Sequence, residues 1–197
     1  MSTFSALMDA LMSAAPERRP AIEQVIHETF VCRKAVLALD MSGFSLSVRR
    51  DGILPYLCLI RQMQKLTLPI VTSHHGELVK YEADNLLAIF DDPKQAIMAA
   101  MAMIQASINP SVDSIQALGF GIGIDYGEIL VLDHVDCFGD AVNLAYKLGE
   151  DVARPGEVLI TELVREAVIN DPAFATQALP LSLSGLEFLA YKVSSSQ

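Results

Sequence analysis

At 197 residues the chain is long enough for one domain with a sizeable core. Hydrophobic residues make up 52% and charged residues 19%, which argues against disorder. The net charge of −10, with no Lys/Arg run longer than two residues, argues against a nucleic-acid surface, so an acidic ligand would need a metal or a local cationic pocket.

The first 33 residues read as a helical lead-in broken at Pro16. Leu7, Leu11 and Met12 form one apolar stripe, and Ile22, Val25, Ile26 and Phe30 form another. The unit that follows spans residues 34–197. Residues 35–39 are an apolar run bounded by charge and read as a buried strand that ends at Asp40, before a turn into helix. Pro55 suits the first turn of the next helix, whose buried face is Leu57, Ile60, Met63, Leu66 and Ile70. Pro69 is placed to kink this helix and Gly76 to end it.

Two short strands, 77–82 and 86–90, flank a turn at Ala83, Asp84 and Asn85. Pro93 opens a helix in which Ile97, Ala100, Met101, Ile104 and Ile108 recur at helical spacing. A strand over 117–126 is expected to turn at Gly127 into a second strand over 128–132. Residues 140–150 read as helix, 158–161 as strand, then helix to about Ile169, and 186–193 as a closing strand. Cys32, Cys58 and Cys137 are odd in number and contain no CxxC pair. Reduced thiols in a cytoplasmic setting are therefore expected. The start of the chain lacks the pattern of a signal peptide, and no run of about 18 apolar residues suggests a membrane span.

Strand, helix, strand, strand, helix, strand is the order of an α+β, ferredoxin-like βαββαβ core with an antiparallel sheet. Its first and third strands are antiparallel neighbours. Asp40 ends the first and Asp84 precedes the third, so both carboxylates fall at one sheet edge. Ionised together they repel, and Mg²⁺ or Mn²⁺ would compensate. Helix capping by one and turn formation by the other is the competing account of the same two residues.

Five segments carry a resemblance. Leu37-Ala38-Leu39-Asp40-Met41-Ser42-Gly43-Phe44-Ser45, Lys80-Tyr81-Glu82-Ala83-Asp84 and Gly121-Ile122-Gly123-Ile124-Asp125-Tyr126-Gly127-Glu128 come first. Asp136-Cys137-Phe138-Gly139-Asp140-Ala141-Val142-Asn143 and Arg154-Pro155-Gly156-Glu157-Val158-Leu159-Ile160-Thr161 follow. In order and spacing they resemble the class III nucleotidyl cyclase catalytic domain over roughly residues 34–193.

That resemblance implies two divalent cations, Mg²⁺ or Mn²⁺, on Asp40 and Asp84 with help from the Met41 carbonyl. It places the amides of Ser42, Gly43, Phe44 and Ser45 toward a triphosphate. Lys80 and Asp136 fall where the family selects the purine, and a donor beside an acceptor suits adenine, so ATP is favoured over GTP. Asn143 falls where the family orients the ribose. The implied reaction is attack of the ribose 3′-oxygen on the α-phosphate. The site would be shared across a head-to-tail homodimer, under an unidentified regulatory partner or ion.

Three departures stand out. Lys147 occupies the place of an Arg that contacts phosphate, and keeps the charge without the planar fork. No Lys precedes Gly185. Ala83 replaces a Gly and disfavours positive φ. The alternatives are therefore a slow nucleotide-binding regulatory module of the same fold, or a cyclase for another base.

Overall fold

The structure is a computed structural model and describes residues 3–41, 52–108, 118–132, 135–183 and 186–195. Its sheet has eight strands: β1 (Val31–Met41), β2 (Glu77–Glu82), β3 (Asn85–Phe90), β4 (Phe120–Leu132), β5 (Asp136–Phe138), β6 (Glu157–Thr161), β7 (Phe174–Leu183) and β8 (Leu186–Ser195). The path runs β2-β3-β1-β4-β6-β8-β7, and β5 pairs with β4. β1 is antiparallel to both β3 and β4, whereas β4 and β6 are parallel. The expected α+β core, with its first and third strands adjacent, is present.

Helices cover both faces. α1 (Thr3–Ser13) and α2 (Arg19–Phe30) form the lead-in, joined by a 3₁₀ turn at Pro16–Arg18. α1 buries none of its residues, α2 buries Ile26, and Phe4 meets Phe30 edge-to-face with ring centroids 5.3 Å apart. α3 (Ile53–Ser73) and α4 (Pro93–Ile108) lie on one face. There Met63, Ile97, Ala100 and Met103 pack against Leu37, Leu39, Leu86 and Phe90. α5 (Asp140–Tyr146) covers the other face, setting Ala141, Val142 and Ala145 against Val36, Ala38, Leu87 and Ile89. Strand alternation divides β1 between the two layers and makes it the buried spine of the molecule. α6 (Glu162–Val168) follows β6 and buries Val164 and Val168.

Several details differ from expectation. Gly127 is no turn: β4 is continuous through it, and Gly127 sits opposite Lys34 in the ladder. A Cβ there would lie 3.3 Å from the Ala141 Cβ, so this glycine makes room for α5 rather than a reversal. β1 begins at Val31 rather than at 35, because its ladder with β4 extends back to Leu130. α3 runs on through Pro69 to Ser73. β5 is three residues long, and β7 carries Pro180. A proline of this kind is tolerated because β7 is an edge strand. No described helix is long and apolar enough to cross a membrane.

After α5 the chain continues as a π-helix over Lys147–Val152. This segment lies on the sheet backbone itself. A Cβ on Gly123 would fall 2.1 Å from the Ala145 carbonyl oxygen and 2.6 Å from the Gly149 nitrogen. One on Gly149 would fall 2.8 Å from the Ala38 carbonyl oxygen, and one on Gly121 would fall 2.8 Å from that of Gly149. Three glycines therefore set the distance between this helix and β1 and β4. Gly123→Ala should destabilise the fold by about 2–3 kcal/mol through overpacking. Thermal unfolding checks this: Gly123→Ala should melt several degrees lower, whereas Gly156→Ala, which has open space around it but positive φ, should cost less.

Candidate functional site

β1 delivers Asp40 to the sheet edge between two neighbours in register, Asn85 on β3 and Gly121 on β4. By alternation its side chain shares the face of Val36 and Ala38, beneath the π-helix. Asp84 precedes β3 in the two-residue turn after β2, and is buried. The turn requires Ala83 at φ 51°, the left-handed region that the replaced glycine would enter freely. The alanine therefore holds a conformation costing about 1–2 kcal/mol, which persists only because its surroundings impose it.

Asp40 is pushed up to about 6. Burial is the largest cause, followed by the charges of Asp84 and Glu150, against a stabilising hydrogen bond from the Met41 backbone. Behind Asp84 stands the buried Tyr56 of α3. Its hydroxyl is pushed up to about 12, first by burial, then by the nearby charge of Asp84. Negative charge thus accumulates here, and among the described residues no cation relieves Asp40. Among the described residues no group of three or more His, Cys, Asp or Glu side chains forms a ready-made metal cage. A two-carboxylate set suits a hard cation that keeps most of its waters, as Mg²⁺ and Mn²⁺ do.

Lys80 and Asp136 are 56 positions apart in the chain, and the fold brings them together. Lys80 Nζ donates to Asp136 Oδ2 at 3.1 Å and lies 3.1 Å from Glu82 Oε2. A bulge in β2 sets Lys80 opposite Leu87, on the α5 face where β5 delivers Asp136. Burial works against the ammonium, but the hydrogen bonds to Asp136 and Glu82 outweigh it and hold Lys80 above its usual value. Asp136 Oδ1 also accepts from the Cys137 amide at 2.9 Å. An ammonium has three donors and a carboxylate about four acceptor positions, so both groups retain capacity for a ligand.

Asn143 is exposed on α5, one turn before Lys147, which is half-buried and starts the π-helix. Ser42, Gly43, Phe44 and Ser45 lie outside the described residues. Four further side chains at the site escaped the motif reading. They are Tyr56 behind Asp84, Glu82 beside Lys80, and the pair Asn85 and Glu150, whose Nδ2 and Oε1 are 2.7 Å apart. Only Asn85 had a signal, since pairing the first and third strands sets it across from Asp40. His74 closes α3, its Nδ1 2.9 Å from the Ile70 carbonyl oxygen, as its place at a helix end suggests.

No family model matches the chain. A Rhizobium meliloti (strain 1021) protein described as a candidate adenylate cyclase is 32% identical over 136 residues, or 68% of this chain. The chain spans only 23% of that protein's length. The adenylate/guanylate cyclase/hydrolase from Silicibacter pomeroyi superposes with a TM-score of 0.69 at 27% identity, covering 85% of this chain and 99% of that one. The catalytic core of a rhodopsin-guanylyl cyclase with converted specificity, in complex with ATPαS, superposes with a TM-score of 0.74 at 20% identity, covering 84% and 98%. The resemblance read in the five motifs thus extends to the whole architecture, and the chain has the fold of the class III adenylate/guanylate cyclase catalytic domains.

Proposed function

We propose that this domain is an adenylate cyclase that converts ATP to 3′,5′-cyclic AMP and pyrophosphate. The observation that carries the reading is the Lys80–Asp136 contact at 3.1 Å, a donor and an acceptor side by side with capacity to spare. Adenine offers an acceptor at N1 and a donor at its 6-amino group, which this pair matches. Guanine offers the reverse at the same two atoms.

Asp40 and Asp84, with the Met41 carbonyl, would hold two Mg²⁺ or Mn²⁺ ions. Bound there, the ions supply neutralisation of the triphosphate and a lowered pKa for the 3′-hydroxyl. The chain's own residues do the positioning. Lys80 and Asp136 fix the base, Asn143 orients the ribose so that its 3′-oxygen lies in line with the α-phosphate, and Lys147 faces the charge that develops there. In this reading the site forms across a head-to-tail homodimer. One chain contributes Asp40 and Asp84, and the other contributes Lys80, Asp136, Asn143 and Lys147. A second reading, slow turnover in a regulatory module, is favoured by Lys147, whose single ammonium cannot clasp two phosphate oxygens as a guanidinium does.

Incubating the purified protein with ATP, GTP, CTP and UTP in Mn²⁺ should yield cyclic AMP as the main product. Absence of any cyclic product would reject the cyclase reading in favour of the regulatory one. Turnover should be higher with Mn²⁺ than with Mg²⁺, because few cations face the phosphates, and equal rates would count against that account. Mixed chains carrying Asp40→Ala and Asn143→Ala, each inactive alone, should regain activity from one intact site per heterodimer. No recovery after confirmed subunit exchange would remove the shared site.

The like charges of Asp84 and Glu150 around the half-buried Asp40 give a test that needs no turnover. Asp40→Asn should raise the metal-free melting temperature by a few degrees, about 1 kcal/mol, while abolishing the stabilisation that Mn²⁺ gives the wild type. A lower metal-free melting temperature would show that the carboxylate is paired after all.

A further inference from the structure

We propose that Asn85 belongs to the cation half-site, as an acceptor for a cation-bound water, and that Glu150 orients it for that role. The inference rests on the proposed cation reading of Asp40 and Asp84.

Asn85 is the residue after Asp84 and stands directly across the ladder from Asp40. Residues opposite one another in an antiparallel pair project from the same face, so Asn85 flanks the Asp40 carboxylate. Its Nδ2 donates to Glu150 Oε1 at 2.7 Å. A carboxylate accepts and cannot donate, so this bond determines which end of the amide is which. The opposite end, Oδ1, is buried, and no described residue donates to it. A buried acceptor without a donor is unusual enough to require an explanation. A hard cation on the neighbouring carboxylates supplies one, because it retains waters whose protons need acceptors.

Glu150 reaches Asn85 from the π-helix that begins at Lys147. The same hydrogen bond therefore joins the turn carrying Asp84 to the segment carrying Lys147. It also helps to hold a turn in which Ala83 keeps φ at 51°. Glu150 is exposed, so it can be changed without disturbing the core.

Mn²⁺ binding to the full chain without nucleotide, followed by the electron paramagnetic resonance signal of the free ion, tests the role. Asn85→Ala should weaken binding about tenfold, as loss of an outer-shell partner commonly does. Glu150→Gln retains an acceptor for the Asn85 amide and should stay within about twofold of wild type, whereas Glu150→Ala should lose several-fold. The double variant Asn85→Ala/Glu150→Ala should bind no more weakly than Asn85→Ala alone, the signature of one shared interaction. Wild-type affinity in Asn85→Ala overturns the proposal. So does a loss in Glu150→Gln as large as that in Glu150→Ala, which would mean that Glu150 acts by charge alone. Asp40→Asn in the same titration separates the two levels. If it binds Mn²⁺ as wild type does, the cation reading of the carboxylates falls and this inference with it. If it loses binding while Asn85→Ala does not, only the role of Asn85 is rejected.

Discussion

Backbone-to-backbone contact between the segment 145–153 and strands β1 and β4 is the constraint on which the site depends. Gly121, Gly123 and Gly149 carry no side chain at the contact, so carbonyls and amides meet where a Cβ would collide. The helix cannot slide or roll without driving backbone into backbone. Everything it bears inherits that precision. Lys147 and Glu150 are displayed from a segment located against Ala38, two residues before Asp40, and Asn143 stands one turn ahead of Lys147 on the helix that leads into it. The switch to a π-helix at Lys147 adds a residue to the turn there, a feature often found at functional positions.

Electrostatics at the sheet edge follow from the same packing. Asp40 is half sheltered under the helix and faces Asp84 and Glu150, so burial and like charge act together and raise it to about 6. The Lys80 cluster has the opposite character, since each charge has a partner within hydrogen-bond distance. The Lys80 cluster is thus internally neutralised, which in the proposed reading suits an uncharged base. The Asp40–Asp84 pair has no cation beside Asp40 among the described residues, and in the proposed reading a divalent cation would occupy it.

Much of this was legible from residue order. The β1-helix-β2-β3-helix-β4 succession set Asp40 and Asp84 on neighbouring strand ends, the apolar run 35–39 marked β1, and helical spacing marked α3 and α4, although the face that α3 buries is Tyr56, Met63, Thr67 and Val71 and the expected Leu57 is exposed. The failures have physical causes. Gly127 resembles a turn residue, yet it serves close approach of Ala141, which no local pattern announces. β5 is too short to show periodicity, and β7 contains Pro180, permissible only because β7 proved to be an edge. Ala83 shows the limit of a propensity argument: the turn geometry prevails over the residue's reluctance to adopt positive φ.

The sequence by itself determined the order of the core strands and helices, the resemblance to a nucleotide-processing family, and the identity of the carboxylates and cations to examine. It did so because periodicity and motif spacing are local properties of the chain. Only the tertiary structure decided which of those groups meet. Lys80 and Asp136 touch because a bulge in β2 and a three-residue strand on β4 bring them to one face. Asn85 and Glu150, 65 positions apart, touch because three glycines allow a helix onto the sheet. Such pairings depend on long-range packing, and packing is a property of the assembled layers rather than of any stretch of residues.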